Sequence, residues 1–417
     1  MSGHRRICIS KSAGKESGKN GADSSGQRLD VWDLNQNTIL NSIDVDSTKH
    51  GAVCLDGRLA VLSFSPSEKQ VMYVAEKKVK SESYFKDAKL FKDETKPPAD
   101  DKKPKEEPTK GNEHEWKQGW GEQMEGLRHT CVCILTIEPE YKLRIIELPD
   151  LTLGKPFWID EQTIGFIGYQ EAPRRLGLIF CFNRVSYLYK CKLAPNDQDE
   201  HTFEVIRGQN DDLNLVYPQI NRQKDKVVYF ESPAGGPHVQ AQRAMLWNLQ
   251  SNEISTIFDE YESGQPIVKS LFVLAVSSNY WLQDGEHVVL STIHHSKELL
   301  LILNVVTKTL RVIDLPGLDE VNVLNLKNDL LALSCSAPDR PPVVLFGLVD
   351  MKRTNPVEFK QLRAKHSAKD KTISYRIIRQ NEDKPLEQIE TILTGPADTF
   401  DKPTPVIVIP HGKHAWY

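Results

Sequence analysis

Apolar and polar residues alternate with period two along much of the chain, and short polar turns interrupt the alternation. One recurring pattern is strand, turn, strand, and it occurs at residues 28–40, 132–148, 244–258 and 299–315. In a β-strand successive side chains point to opposite faces, so this alternation is typical of half-buried antiparallel hairpins. The pattern therefore predicts a β-hairpin at each of these places.

A second pattern is a large apolar residue, a polar turn and then an apolar strand. It occurs at residues 64–74, 158–167, 220–230 and 281–290, and more weakly at 326–333. The two patterns alternate, and two hairpins together make a four-stranded sheet of about the length of a propeller blade. We therefore predict an all-β fold, a β-propeller spanning residues 1–370. A pair of β-sandwiches is the alternative that the pattern leaves open.

A segment at residues 86–110 departs from these patterns and is dense in Lys, Asp, Glu and Pro. Such a composition buries too little apolar area to offset the entropy lost on ordering. We expect it to be a disordered charged insert on the surface of the propeller. Trp116 and Trp120 follow in a polar setting, and we expect both to pack on the propeller rather than to form a ligand site.

The last part of the chain carries a different signal. Residues 406–409 are four β-branched residues between prolines, which predicts a buried strand, and His411 and Gly412 follow it. In serine hydrolases of the α/β type, a strand ending in His-Gly-Gly supplies backbone N–H groups to the oxyanion hole. Here Lys413 stands in the third position. We expect residues 371–417 to be a linker and the truncated start of an α/β-hydrolase domain.

Charge and hydropathy narrow the choice of partners. The 417-residue chain has a net charge of -4, so it offers no electrostatic case for binding nucleic acid or an anionic membrane. No apolar run approaches the length of a transmembrane helix, and the N-terminus has no apolar region typical of a signal peptide. We expect a cytoplasmic protein.

Cysteine and histidine give no indication of a metal site. The chain has 7 cysteines and no Cys-x-x-Cys pair, which favours buried thiols in a reducing compartment. Cys131 and Cys133 alternate along an apparent strand and so share one face. His294 and His295 are adjacent, and in a strand their side chains point in opposite directions, which disfavours a shared metal. We expect neither a metal nor another cofactor.

Catalytic residues are not apparent in the sequence. No Gly-x-Ser-x-Gly occurs anywhere, and this nucleophile elbow is what presents the serine in α/β-hydrolases. Without it, and without a following acid and base, no Ser-Asp-His triad is assembled. The candidate site residues are only the oxyanion-loop remnant, His411, Gly412 and Lys413.

Several segments, taken in order, resemble one family. They are residues 62–68, 72–78, 81–85, 116–122, 173–177 (Pro-Arg-Arg-Leu-Gly), 181–184 (Cys-Phe-Asn-Arg) and 405–412. In this order they are similar to the propeller of the acylaminoacyl-peptidases, also called acylpeptide hydrolases or acylamino-acid-releasing enzymes. These belong to the prolyl oligopeptidase family of serine peptidases, and the resemblance runs over nearly the whole chain.

The resemblance implies a seven-bladed propeller that limits access to an α/β-hydrolase domain, so that only short N-acylated peptides are cleaved. The implied reaction releases an N-acylated amino acid by acyl transfer to serine and then to water. This chain is expected to begin inside the first blade, which is therefore incomplete, and to end just past the first hydrolase strands. The family's His-Gly-Gly-Pro-His becomes His-Gly-Lys-His-Ala at residues 411–415.

Three hypotheses follow. In the first, the chain is the propeller portion of such a peptidase and is not catalytic by itself, and the strand at residues 406–409 lacks its sheet and is exposed. In the second, it is a stand-alone propeller scaffold that binds a protein partner such as the intact peptidase. In the third, it pairs with a separately encoded hydrolase half. The expected partners are short N-acylated peptides, through the resemblance, and a hydrolase domain or a second copy of the chain.

Overall fold

The computed structural model describes residues 5–11, 26–45, 48–55, 57–78, 111, 114, 116, 118–121, 123–124, 127–195, 200–209, 211–259, 268, 270–362, 373–380, 389–396, 400 and 402–409. Within these ranges every extended regular element is a β-strand. The all-β prediction is confirmed. The charged insert at residues 86–110 lies outside the described residues.

The chain divides into two compact units, which are described separately. The first comprises Met1–Pro218 and Glu231–Val239, and the second comprises Gln219–Phe230 and Gln240–Tyr417. The division into a propeller at residues 1–370 and a following region at 371–417 stays a prediction.

Three antiparallel sheets build most of the first unit. The first contains β1 (Arg5–Lys11), β2 (Gln27–Asp33) and β3 (Thr38–Asp44). The second contains β4 (His50–Val53), β5 (Leu62–Phe64), β6 (Gln70–Lys77), β7 (Thr130–Thr136) and β8 (Lys142–Ile146). The third contains β9 (Leu151–Trp158), β10 (Thr163–Gln170), β11 (Ser186–Lys192) and β12 (Thr202–Arg207).

The second sheet is buried on both faces, as a propeller blade between two neighbours would be. Strands β4 and β5 both pair with β6, so together they form one interrupted edge strand. On one face Val71 and Cys133 pack in a core with Leu29 of the first sheet. On the other face Met72 packs with Phe166 of the third sheet. Each fully buried residue of this size contributes about 1.5–3 kcal/mol to stability.

A fourth sheet has the strand order β13 (Leu213–Ile220), β14 (Lys226–Pro233), β15 (Arg243–Asn248) and β16 (Ile254–Phe258). Each strand pairs with its neighbour in sequence, so the sheet is a simple meander. This is the strand arrangement of a propeller blade.

The second unit contains two larger sheets and a hairpin. One sheet comprises β17 (His287–His294), β18 (Lys297–Asn304) and β19 (Leu310–Ile313). The next comprises β20 (Glu320–Lys327), β21 (Leu330–Ala337), β22 (Arg340–Leu348) and β23 (Lys360–Gln361). The two sheets share a core that includes Ile302 and Leu333. The hairpin is β24 (Ile373–Gln380) and β25 (Ile389–Pro396).

The strand pattern agrees with the predictions from periodicity. All hairpins predicted from the first pattern occur, as β2–β3, β7–β8, β15–β16 and β18–β19. The second pattern yields the turns into β6, β10, β14, β17 and β21. The β24–β25 hairpin lies outside both sequence patterns. The prediction of an all-β fold built from propeller-type sheets is confirmed.

Candidate functional site

The residues predicted for an oxyanion loop, His411, Gly412 and Lys413, lie outside the described residues. The segment just before them is described, and it is not the buried strand that its composition predicts. Its exposure is what the first hypothesis predicts for a strand that lacks its sheet. Residues 402–409 form no strand, and Val406, Ile407, Val408 and Ile409 are 64%, 88%, 79% and 84% exposed. A strand forms only where its N–H and C=O groups pair with a neighbour, and no described strand pairs with this segment.

The structure instead brings together the segments that carried the family resemblance. Three of them, residues 116–122, 173–177 and 181–184, meet at the loop of residues 171–185, where Arg175 donates a 2.8 Å hydrogen bond to the carbonyl of Gln118. This loop joins β10 to β11 at the end of the sheet where β9 begins. The N–H of Glu171 donates to the carbonyl of Asp150, just before β9, at 3.1 Å. We refer to residues 171–185 as the β10–β11 loop.

A buried polar cluster fixes the first turn of this loop. The carboxylate of Glu171 is 2.7 Å from Nδ1 of His129 and accepts a 2.6 Å hydrogen bond from the hydroxyl of Thr152. Its other oxygen accepts a hydrogen bond from the guanidinium of Arg175. Thr152 in turn accepts a 3.0 Å hydrogen bond from the indole N–H of Trp120, which is fully buried. We call these five residues the Glu171 cluster.

The pKa values of two carboxylates near this loop are shifted in opposite directions. Burial by itself would raise the pKa of Glu171, but the hydrogen bonds from His129 and Thr152 outweigh it and hold the pKa below its usual value. For Glu76, burial dominates and raises the pKa, although the Arg128 backbone N–H donates to it at 3.2 Å. Glu171 is therefore held as an anion, whereas Glu76 carries a desolvation cost when ionised.

The Glu171 cluster resembles a His–carboxylate pair but lacks the geometry for catalysis. Nε2 of His129 is buried and has no hydrogen-bond partner among the described residues. General base catalysis needs that nitrogen within reach of a nucleophile or of water. The arrangement can instead hold the loop in one position, because a charged, multiply bonded carboxylate resists displacement.

The far end of the β10–β11 loop is fixed by a second set of contacts. Arg184 donates from Nε to the carbonyl of Gly177 and from a terminal nitrogen to that of Leu176, each at 3.0 Å. The amide of Asn183 donates to the carbonyls of Gly235 and, at 3.2 Å, Pro237. Those carbonyls belong to the loop between β14 and β15. The two loops are thus tied together.

An arginine lies between aromatic rings beside this loop. The guanidinium carbon of Arg58 is 4.5 Å from the ring centroid of Phe182 and 5.8 Å from that of Tyr217. Arg58 also donates to the Tyr217 hydroxyl. Tyr217 has φ of 55° and Lys155 has φ of 51°, a left-handed conformation that is rare for large side chains. Lys155 is the fifth residue of β9 and Tyr217 is the fifth residue of β13, and each precedes a proline.

The predicted packing of the two tryptophans is half right. Trp120 is fully buried and bonded to Thr152, as expected of a packing residue. Trp116 is 81% exposed, so the prediction for it is wrong. The sequence does not distinguish the two residues, because the difference depends on which of them reaches Thr152 on a distant strand.

The predicted geometry of the histidine pair is also wrong. Strand β17 ends at His294, and His295 lies in the following turn with φ of 55°. The two rings therefore meet, with centroids 4.4 Å apart, instead of pointing to opposite faces. The described residues contain no group of three or more His, Cys, Asp or Glu side chains that could hold a metal ion. Cys131 and Cys133 lie on one face as predicted, with Sγ atoms 3.9 Å apart.

Among the residues that the structure describes, no helix is long and apolar enough to span a bilayer.

Comparison with known proteins supports the resemblance. The family model described as "Acylamino-acid-releasing enzyme, N-terminal domain" matches residues 7–220 and 252–373, which is most of the chain. The chain belongs to the acylamino-acid-releasing enzyme family. It is 28% identical to the mouse acylamino-acid-releasing enzyme over 433 residues, covering 99% of this chain and 56% of that protein. It is 27% identical to the human enzyme over 427 residues, and this match covers 95% of this chain and 55% of the human protein.

Solved structures agree on the fold. A prolyl endopeptidase structure matches with a TM-score of 0.51 and 12% identity, covering 94% of this chain and 47% of the other. The acylaminoacyl peptidase of Pyrococcus horikoshii matches with a TM-score of 0.51 and 11% identity. This match covers 88% of this chain and 46% of the other. The chain spans about half the length of the relatives that it matches. The family, the propeller fold and the position in the N-terminal part of the family's enzymes were therefore predicted correctly.

Proposed function

We propose that this chain gates and orients short N-acylated peptides for a serine-peptidase domain of the α/β-hydrolase type. The single observation that carries the proposal is the match of the N-terminal-domain family model over residues 7–220 and 252–373. The hydrolase domain supplies the chemistry: transfer of the N-acylated residue to a serine and then to water. This chain supplies shape and access.

The Glu171 cluster supports a gating role. Access to a site is selective only if the loops around it keep fixed positions. The β10–β11 loop is held at one end by side chains of other elements and at the other end by its own Asn183 and Arg184. Glu171, His129 and Thr152 fix one end, and Asn183 and Arg184 fix the other. None of these residues needs to touch the scissile bond.

The exposed segment at residues 406–409 supports association with a hydrolase domain. Four consecutive apolar residues that are each more than 60% exposed are a strand sequence without a sheet. Insertion into the sheet of a hydrolase domain would bury them. A scaffold that binds an intact peptidase is the second candidate, and the same segment favours it. We propose a cytoplasmic location for either.

The test is capture of the native protein from its source cells with an antibody against residues 86–110. We expect the captured material to release N-acetyl-alanine from a short acetylated peptide, and to yield hydrolase-domain peptides continuous with this chain or encoded separately. A full-length, separate peptidase in the captured material would favour the scaffold. Captured protein without hydrolysis and without hydrolase peptides would contradict both.

A further inference from the structure

A cavity of about 220 Å³ lies within the second unit. It is lined by residues 272 and 274–277, by residues 289–293 of β17, by residues 320–323 of β20 and by Glu298. A site for a drug-sized ligand is usually about 300–1,000 Å³, so this cavity admits a short segment of chain rather than a bulky molecule.

One wall of the cavity is an open strand edge. Strand β17 pairs with β18 along its whole length, from His287 opposite Asn304 to His294 opposite Lys297. On the other edge the carbonyl of His287 accepts from Leu282 N–H, and the N–H of Val289 donates to the carbonyl of Tyr280. Backbone groups of alternate residues point to the same side of a strand. The N–H and C=O groups of Ser291 and Ile293 therefore point away from β18 as well.

These groups have no strand beside them. The segment that pairs with His287 and Val289 leaves β17 beyond Tyr280, and residues 272–277 form no strand. The N–H of Phe272 donates to the side chain of Thr292 at 2.8 Å, not to its backbone. In the part of the chain that the structure describes, neither Ser291 nor Ile293 has a backbone partner on this edge.

The opposite wall is acidic. Glu298 accepts a 3.0 Å hydrogen bond from the N–H of Val321, so its carboxylate covers the edge of β20 on the cavity side. Glu320 lines the same cavity. Burial is the main reason that the pKa of Glu298 is raised. A cation placed between the two carboxylates would offset both the burial and their mutual repulsion.

We propose that this cavity binds a short extended peptide that adds as a strand to the open edge of β17, with a Lys or Arg side chain directed at Glu298 and Glu320. The backbone supplies paired hydrogen bonds to Ser291 and Ile293, as in other cases of β-strand addition. The two carboxylates supply the preference for a basic residue. This binding needs no hydrolase domain, so it goes beyond the proposed function and fails or holds independently of it.

The test uses the full 417-residue chain and the acetylated, amidated tripeptide Ala-Lys-Ala, with isothermal titration calorimetry as readout. We expect saturable binding with a Kd below about 1 mM. Replacing Lys by norleucine should weaken binding at least about tenfold, because the charge is lost while the length is kept. A peptide with N-methyl groups at the amides that pair with β17 should also bind at least about tenfold more weakly. This change cannot disturb the fold of the protein.

Variants test the same contacts from the protein side. The double variant Glu298→Gln/Glu320→Gln should weaken the lysine peptide at least about tenfold and leave the norleucine peptide unchanged. The matched control is Glu253→Gln, an exposed glutamate outside the cavity lining. Hydrogen exchange should slow at Ser291 and Ile293 when the peptide is added. Equal affinity for the lysine, norleucine and N-methylated peptides would overturn the proposal. Saturable binding of calcium chloride, with no binding of any of the peptides, would also overturn it.

Discussion

Nδ1 of His129 lies 2.7 Å from Oε1 of Glu171, and this pair joins the residue before β7 to the residue after β10. Strands β7 and β10 belong to different sheets. The contact therefore connects two neighbouring sheets at the position where the β10–β11 loop begins. The proposal that the loop keeps a fixed position depends on it.

The first prediction concerns the charge of Glu171. Glu171→Gln should lower the free energy of unfolding by about 1–3 kcal/mol at neutral pH, because charge-assisted hydrogen bonds are lost from a side chain that is 12% exposed. The folded-state pKa is below its usual value. The stabilisation is thus complete above the usual pKa of a glutamate and is lost as the pH falls through the folded-state value.

Urea unfolding at several pH values checks this prediction. The difference in stability between wild type and Glu171→Gln should narrow as the solution becomes acidic. Glu200→Gln, at an exposed position, is the control and should change little. A difference that stays constant down to the lowest pH would show that the charge of Glu171 is not what matters.

The second prediction concerns Thr152, which is fully buried between Trp120 and Glu171. Thr152→Val keeps the shape but removes the hydroxyl, so the indole N–H loses its acceptor and the carboxylate loses a donor. We expect a loss of about 1–3 kcal/mol in unfolding free energy and a red shift of tryptophan fluorescence. Thr202→Val, at an exposed strand position, should have neither effect. Equal stability of the two variants would contradict the account.

The third prediction concerns close packing in the third sheet. A Cβ atom at Gly165 would clash with Cζ of Phe157, whose ring covers the glycine from the neighbouring strand. Gly165→Ala should therefore cost about 1–3 kcal/mol through overpacking. At Gly57 nothing lies within 4 Å of the added atom, so Gly57→Ala is the matched control. Thermal unfolding that ranks the two variants in the reverse order would be evidence against this packing.

The fourth prediction concerns how the β24–β25 hairpin is anchored. Glu390 accepts a 2.8 Å hydrogen bond from the N–H of Ser296 and a 2.7 Å bond from Arg379, and it is 7% exposed. Burial opposes its ionisation, but these hydrogen bonds lower its pKa from 4.5 to about 2. The hairpin should therefore be held firmly above pH 4.5 and lose this anchor as the pH falls towards 2.

Hydrogen exchange of residues 373–380 and 389–396 measures the effect. Glu390→Gln at neutral pH should speed exchange there about tenfold or more, since a hydrogen bond to a charged group contributes about 1.5–3 kcal/mol. The control is Glu358→Gln, at an exposed position outside the hairpin, and it should leave the exchange rate of the hairpin unchanged. Unchanged exchange in the Glu390 variant would mean that other contacts hold the hairpin.

The sequence predicted those features that depend on local periodicity. Alternation in residues 132–148 is enough to predict β7–β8, because each residue's face follows from its neighbours. The Glu171 cluster was not predictable in this way. His129, Thr152 and Glu171 lie on separate elements, and only the stacking of sheets brings them together. The one local signal available was that His129 directly precedes β7 and Glu171 directly follows β10.

Two errors have the same cause. Residues 406–409 have the composition of a buried strand, but strand formation needs a partner that composition does not specify. His295 was assigned to a strand, whereas its left-handed backbone places it in a turn. In each case the residue types favour a strand, but the backbone conformation depends on tertiary contacts that the local sequence does not specify.

We propose that this chain, which belongs to the acylamino-acid-releasing enzyme family, does not hydrolyse acyl-peptides by itself. The most direct test is to incubate the purified 417-residue chain with a fluorophosphonate probe for reactive serines and, separately, with N-acetyl-alanine p-nitroanilide. The account predicts no labelled serine and no release of p-nitroaniline. A labelled serine within this chain, together with turnover of the substrate, would contradict it.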